Sequence, residues 1–158
     1  MDEVAFRRLY QSVTPTLWGY IHHACADVVL AEDILQETFC RFLSKDLENL
    51  TEQQSKTYLY RIATSLIVDH WRRKKRERLW FALTKSEDPQ NLELKLDMKG
   101  IFLKLKPREQ ALLWLAYVEG FQHAEIATAL GLTDKSVRVL LHRARKKLAG
   151  FLQQTALH

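Results

Sequence analysis

The stretch HAEIATALGLTDKSVRVLLH, residues 123–142, decides the fold. Two apolar helical patterns in it are separated by Gly131 and Thr133. Glycine favours the positive φ of a tight turn, and the oxygen of the threonine side chain can cap a following helix. The two helices are predicted to pack through an apolar set: Ile126, Ala127, Val137, Leu140 and Leu141. The pattern predicts a helix-turn-helix.

The exposed side of the second of these helices is predicted to be basic. It carries Lys135, Arg138, His142, Arg143 and Lys146. A helix presenting such groups fits the major groove of DNA, where arginine can meet guanine edges or phosphates. A solvated face on an ordinary helical hairpin is the alternative. The predicted turn, helix cap, apolar core and exposed basic charge together favour DNA binding. They do not indicate which base sequence is bound.

Outside this stretch the chain also favours helices, because its 158 residues include only five Gly and three Pro. Apolar spacing predicts a first helix with a break and restart at Thr14-Pro15. A second helix is predicted from about Ala31 to Leu43, with its buried candidates being Ile34, Leu35, Phe39, Phe42 and Leu43. Polar residues 44–56 indicate a loop, and a third helix follows from Lys56.

The segment TKSEDPQN, residues 84–91, is polar, contains a proline and separates two strongly helical parts of the chain. We therefore predict an all-α protein of two small helical domains joined by a short linker. The first domain would span residues 1–82, the linker 83–98 and the second domain 99–158. The second domain contains the helix-turn-helix, and Pro107 is predicted to begin another of its helices.

The third helix combines aromatic and basic residues. Residues 72–78 hold six basic groups against Glu77, in a chain with a net charge of +5. The aromatic residues and Arg61 precede them: Tyr58, Tyr60, Arg61 and Trp71. Rings interleaved with cations suit unstacked nucleic acid, because bases stack on rings while cations follow phosphates. Core aromatics beside a solvated helix end would give the same pattern, and the residues alone leave both interpretations open.

The second helix carries a polar face away from its apolar stripe. Asp33, Gln36 and Glu37 share it by i, i+3 and i+4 spacing. Such a face could contact a basic partner, although most polar helix faces meet only solvent.

Other classes of function find no support in the sequence. Cys25 and Cys40 are predicted to be reduced thiols in a cytoplasmic protein, and no second ligand cluster joins His22 and His23 in a metal site. No apolar run approaches the ~20 residues of a membrane span. Motifs for phosphate-cradling loops, zinc peptidases and nucleophile elbows are absent from the sequence. We expect no catalytic residue, no cofactor and no metal.

Three segments, in order, resemble sigma factors of RNA polymerase. AEDILQETFCR, residues 31–41, is similar to the polymerase-binding helix of that family. YLYRIATSLIVDHWRR, residues 58–73, is similar to the promoter-melting helix, and EGFQHAEIATALGL, residues 119–132, to the C-terminal helix-turn-helix. The short length without a middle domain resembles the extracytoplasmic function (ECF) subfamily.

The resemblance implies roles for the matching positions. Core polymerase would contact Asp33, Gln36 and Glu37. The minus-ten DNA would be contacted by Arg61, Asp69, Trp71, Arg72 and Arg73, and the loop at residues 44–56 would hold a flipped base. The minus-thirty-five DNA would be contacted by Lys135, Arg138, Val139, His142 and Arg143. Implied partners are core polymerase, promoter DNA and an anti-sigma factor.

Two other interpretations remain at this point. A stand-alone helix-turn-helix regulator would not need the acidic face of the second helix or the aromatic and basic third helix. An adaptor with only a sigma-like docking surface would be expected to carry a receiver domain or a weakened recognition helix. Ser65, Trp71, Val139 and Leu140 depart from residue types common in sigma factors, and these departures bear on which promoter is read.

Overall fold

The computed structural model describes residues 2–45, 49–84 and 98–156. In these ranges every regular element is an α-helix, which confirms the predicted all-α class. The helices are α1 (Glu3–Cys25), α2 (Val28–Ser44), α3 (Glu52–Thr84), α4 (Met98–Lys104), α5 (Pro107–Tyr117), α6 (His123–Leu130) and α7 (Asp134–Ala156). None of these helices combines the length and the hydropathy that crossing a bilayer requires.

Helix α1 runs unbroken through Pro15, so the predicted break and restart at Thr14-Pro15 is wrong. An interior proline removes one backbone hydrogen bond and costs roughly 3 kcal/mol. Val13 and Leu17 are buried on either side of it, and their burial offsets that cost. The helix ends at Cys25, and the residue that follows, Ala26, has a φ of 57° and donates its N–H to the carbonyl of His22.

Helix α2 begins earlier than the apolar pattern predicted, because Asp27 caps it. The Asp27 carboxylate accepts hydrogen bonds from the backbone N–H groups of Val29 and Leu30, at 3.0 and 3.3 Å. At the other end, Leu43 was predicted to be buried and is 51% exposed. Neighbouring residues point about 100° apart around an α-helix, and Phe42 takes the buried position.

Helix α3 begins at Glu52, four residues before the predicted start at Lys56. Thr51 and Gln54 exchange hydrogen bonds between side chain and backbone N–H, at 2.9 and 3.1 Å, and so cap its first turn. The predicted loop is correspondingly shorter, and residues 46–48 lie outside the described part. The helix continues to Thr84. Most of the predicted linker, residues 85–97, also lies outside the described part.

The helices form two units that pack on each other. Helices α1, α2 and α3 form the N-terminal unit, and α4 to α7 form the C-terminal unit. Helix α3 packs against α5 and α6, while α1 packs against α4 and α5. Buried side chains from both units join in one hydrophobic core. The sequence had left this relative placement open.

Candidate nucleic-acid interface

The predicted helix-turn-helix is present in α6 and α7. Gly131 ends α6 with a φ of 67°, and the Leu132 N–H donates to the carbonyl of Ala127 at 2.8 Å. The Thr133 hydroxyl accepts a hydrogen bond from the Ser136 N–H at 3.1 Å, which caps α7. Val137 is fully buried where α7 meets α6. The turn and the cap are therefore those that the sequence predicted.

The first three turns of α7 present the predicted DNA-reading residues to solvent. All five are exposed: Lys135, Arg138, Val139, His142 and Arg143. Val139 is 45% exposed and gives this surface one apolar side chain, the kind that can contact a thymine methyl group. We call these five residues the α7 face.

Two basic residues of the same helix have structural partners instead. The Arg145 guanidinium donates to the hydroxyl of Tyr117 at 3.1 Å. The Lys147 ammonium pairs with the carboxylate of Glu109 at 2.9 Å. Both contacts join α7 to α5, so the basic cluster of residues 134–147 divides between holding the domain together and presenting charge to solvent.

The predicted minus-ten residues lie on α3. All five are exposed: Arg61, Asp69, Trp71, Arg72 and Arg73. We call them the α3 face. The last four border a hollow of about 800 Å³ together with Lys75, Arg76 and Leu79. The Lys75 ammonium lies 5.1 Å from the centre of the Trp71 ring, so this aromatic ring already has a cation beside it.

Part of the α3 face lines a cleft between the two units. Arg61, Asp69 and Arg72 form one wall of this cleft, whose volume is about 270 Å³. Arg108 and residues 129–131, the end of α6 and its turn, form the other wall. A DNA strand that followed this side of α3 would have to enter the cleft.

Tyr60, which the sequence grouped with the base-stacking aromatics, belongs to the core. It is fully buried and donates its hydroxyl proton to the carboxylate of Glu119 at 2.5 Å. Tyr60 shares the 3.6-residue stripe of Ala63 and Ile67, both buried, so its spacing could have identified it as a core residue. It is not available to stack on a base.

A polar cluster that the sequence did not reveal joins the two units. It consists of Thr16, Lys56, Tyr60 and Glu119, and we call it the Glu119 cluster. Lys56 forms an ion pair with Glu119, whose side chain is only 3% exposed. Burial by itself would raise the pKa of the Glu119 carboxyl, but the contacts with Lys56, Thr16 and Tyr60 outweigh burial and hold this pKa below its usual value.

Aromatic contacts surround this cluster. The rings of Tyr20 in α1 and Trp114 in α5 have their centres 5.9 Å apart. Gly19 permits the close approach, because a Cβ atom at that position would lie 3.3 Å from the Trp114 ring. The units therefore meet through a close-packed apolar contact with a buried ion pair at its side.

The polar face of α2 is exposed as predicted, at Asp33, Gln36 and Glu37. One of its carboxylates, that of Glu37, accepts a hydrogen bond from the Arg41 side chain at 2.9 Å. Both side chains of that pair are about half exposed, so the acidic face remains accessible.

The histidine and cysteine residues near the end of α1 have ordinary surroundings. His23 Nδ1 lies 2.7 Å from the carbonyl oxygen of Gly19, and the His22 ring stacks on Trp18. Burial raises the pKa of the Cys25 thiol to about 11. Within the described residues no three His, Cys, Asp or Glu side chains are grouped as metal ligands.

Two family models match the chain. The one described as Sigma-70 region 2 matches residues 9–77, and the one described as Sigma-70, region 4 matches residues 99–148. Together they include the α2 polar face, the α3 face and the α7 face.

Curated relatives carry sigma-factor names. An ECF RNA polymerase sigma factor, SigL of Mycobacterium tuberculosis, is 28% identical over 97% of this chain and 92% of its own length. BldN of Streptomyces coelicolor, also named as an ECF RNA polymerase sigma factor, is 28% identical over 96% of this chain. The matched part spans 62% of the length of BldN.

Two solved structures with a similar fold come from protein complexes. The sigma factor RpoE, from its complex with the anti-sigma factor NepR of Bartonella quintana, has a TM-score of 0.71 at 21% identity. The match covers 94% of this chain and 97% of that one. CnrH, from its complex with the cytosolic domain of CnrY, also has a TM-score of 0.71, at 22% identity, over 97% of this chain and 90% of that one. Both support the arrangement of helices described above.

Proposed function

The chain belongs to the sigma-70 family, in its extracytoplasmic function (ECF) subfamily, and we propose that it binds core RNA polymerase and directs it to a particular set of promoters. The observation that carries the proposal is the α7 face, because a capped recognition helix displays cations within the region 4 match. The chain acts by binding, without covalent chemistry. As a partner of cytoplasmic polymerase it would be a cytoplasmic protein.

Core polymerase binding is assigned to the polar face of α2. Asp33, Gln36 and Glu37 are exposed, lie on neighbouring turns and fall within the region 2 match. Carboxylates at this spacing suit a basic surface on the polymerase, because opposite potentials steer association and fix its register.

Promoter contacts are assigned to the two basic faces. The α3 face would hold the opened minus-ten element, with residues 44–56 holding a flipped base. The α7 face would read the minus-thirty-five element from the major groove, where arginine pairs with guanine edges. Captured unpaired bases favour the melted promoter, since a ligand shifts an equilibrium by its different affinity for two states.

The two family matches support the proposed division of the chain. Residues 1–82 would be the polymerase-binding and minus-ten domain, and 99–158 the minus-thirty-five domain. Residues 83–98 would link them, although α3 extends to Thr84 and α4 already begins at Met98. An anti-sigma factor is the proposed inhibitory partner, since both structural neighbours are described as complexes in which a second protein is bound to the matched chain.

Run-off transcription tests the proposal. Purified core polymerase would transcribe fragmented bacterial genomic DNA with and without this protein. Discrete transcripts that require the protein are expected, together with its co-migration with core polymerase. Neither transcripts nor co-migration would favour a stand-alone regulator, and co-migration without transcripts would favour an adaptor.

A double variant tests the α2 assignment within the same assay. We expect Asp33→Ala with Glu37→Ala to weaken co-migration with core polymerase and to leave the helical circular dichroism unchanged, because both side chains are exposed. The matched control is Glu3→Ala with Asp134→Ala, which removes the same charge at exposed positions outside α2. Equal co-migration of the two double variants would refute the assignment.

A further inference from the structure

Helix α3 continues beyond the part of the chain that the family model matches. The region 2 match ends at residue 77, and the helix ends at Thr84. Residues 71–83 are exposed on every side of the helix. A helix segment whose side chains are all exposed gains little stability from tertiary packing, which is the main source of helix stability in proteins. The exposed surface of this extension is accessible to a binding partner.

One side of the extension continues the line of two α3-face residues, Asp69 and Arg73. Asp69, Arg73, Arg76 and Trp80 follow one another at steps of four, three and four residues, which keeps them on one stripe of an α-helix. Trp80 lies about 10 Å beyond Arg73 at 1.5 Å per residue, roughly the length of three nucleotides at 3.4 Å each. The stripe thus leads from the proposed minus-ten contacts to an indole ring.

The surroundings of Trp80 are cationic. Its side chain is 66% exposed and borders a hollow of about 370 Å³, together with Arg73, Arg76, Glu77 and Phe81. Residues 72–78 carry six basic groups against one acidic group. Such a charge balance fits a polyanion better than an apolar peptide, and a ring between cations is the arrangement on which unpaired bases stack.

We propose that Trp80 is a stacking platform for an unpaired base of the promoter strand, and that it lengthens the minus-ten contact by about three nucleotides at 3.4 Å each. Arg73 and Arg76 hold the phosphates on the near side of that base. The inference rests on the proposed function and adds to it a residue outside the family match. The inference predicts that DNA binding depends on the aromatic ring of Trp80 rather than on the apolar area of its side chain.

Two substitutions of Trp80 distinguish an effect of the aromatic ring from an effect of the apolar surface area. Trp80→Phe keeps an aromatic ring, and Trp80→Leu keeps an apolar side chain without one. Leu83→Ala is the matched control, because Leu83 is an exposed apolar residue of the same helix end. Arg73→Ala reports on the α3 face itself. All three positions are exposed, so the fold should persist in each of the four variants.

The first measurement is the binding of a mixed-sequence single-stranded oligonucleotide of 15 nucleotides to the purified protein, monitored by fluorescence anisotropy. The second is the lifetime of the promoter complex formed with core polymerase. We expect Trp80→Leu to weaken oligonucleotide binding about 5- to 150-fold and to shorten the lifetime, because one stacked base supplies that range. Trp80→Phe and Leu83→Ala should stay close to the unsubstituted protein in both measurements.

Other outcomes overturn the inference in distinguishable ways. If Arg73→Ala weakens binding and Trp80→Leu does not, the α3 face stands and the role of Trp80 is wrong. If Trp80→Leu lowers co-migration with core polymerase and leaves DNA binding unchanged, the extension docks a protein. If Arg73→Ala also has no effect on the oligonucleotide or the promoter complex, the proposed minus-ten assignment falls together with the inference.

Discussion

The α7 face and the α3 face are both mainly basic and lie on long helices, but they differ in how much of each lies beside the other unit. The α7 face stands clear of the rest of the chain, with all five of its residues exposed. The α3 face lies partly along the cleft whose other wall is the end of α6 and its turn. One proposed DNA face is open to solvent along its whole length, whereas part of the other lines a cleft between the two units.

The two faces carry similar side chains, so the difference in their accessibility originates in how the two helices pack. Helix α7 turns its apolar side toward α5 and α6 within its own unit. Helix α3 packs against its own unit and also against α5 and α6 of the other unit. A basic helix therefore predicts affinity for nucleic acid, whereas its accessibility depends on contacts between units. The Glu119 cluster is a polar part of those contacts, and substitutions in it should have the largest effect on the accessibility of the α3 face.

The largest effect is expected for Lys56→Ala. This change leaves the carboxylate of Glu119 buried without its ion-pair partner, and breaking a buried pair in this way costs roughly 3–5 kcal/mol. The units should separate. Small-angle scattering should then give a radius of gyration above the ~15 Å of a compact chain of this length. Binding of single-stranded oligonucleotide to α3 should increase at the same time.

Glu119→Gln is the matched control for this experiment. It removes the same ion pair but leaves the cation, and the Lys56 side chain is 24% exposed and can turn toward water. The Tyr60 hydroxyl can still donate to the amide oxygen. We therefore expect a smaller expansion than for Lys56→Ala. Equal scattering curves for Lys56→Ala and the unsubstituted protein would show that the ion pair does not hold the units together.

The next largest effect is expected on the α7 face. Arg143→Ala should weaken promoter binding by about 1–3 kcal/mol, the contribution of one good arginine contact to a base. Because this face is already exposed, the loss should be the same in the Lys56→Ala background. Promoter affinity measured by anisotropy on a duplex fragment checks this. Arg8→Ala is the control, since it removes one exposed cation from α1. A loss that depended on Lys56 would mean that the α7 face is also covered.

A smaller effect is expected in the salt dependence of the promoter complex. If Arg73 meets a phosphate, Arg73→Ala should reduce the slope of log K against log salt by about 0.7–0.9. Lys74→Ala is the control. It removes the same charge one residue further on, about 100° around the helix. Equal changes in slope for the two variants would mean that the helix acts through its overall charge and not through one face.

The sequence correctly predicted those parts of the fold that depend on residues adjacent to one another in the chain. Gly131 and Thr133 mark the turn of the helix-turn-helix, because backbone conformation and capping depend on adjacent residues. The exposure of Arg138 and Arg143 followed from helical spacing alone. The break and restart predicted at Thr14-Pro15 failed for the opposite reason, since burial of the residues on both sides overrides the local preference of proline.

The contacts between units could not be predicted, because they join residues far apart in the chain. The sequence placed Glu119 only at the start of the segment that resembles the C-terminal helix-turn-helix. In the structure it lies against Lys56 and Tyr60, which are about sixty residues earlier. Nothing in the spacing of either segment indicates this pairing. The DNA assignments of the α3 and α7 faces remain predictions, although the residues are exposed as expected.

The smallest effect is expected from pH, and it tests the Glu119 cluster without a substitution. The pKa of Glu119 is lower in the folded protein than its ordinary value of 4.5. The ionised carboxylate therefore stabilises the joined state at neutral pH, and this contribution is lost only as the pH falls below that ordinary value and through the folded pKa. Between pH 8 and pH 6 the radius of gyration should stay constant, whereas it should begin to rise below about pH 4.5. Glu119→Gln should show a smaller rise over the same acid range, because it carries no carboxylate at this position. An expansion of equal size in both proteins would assign the acid effect to other carboxyl groups and remove Glu119 as the group that couples the two units.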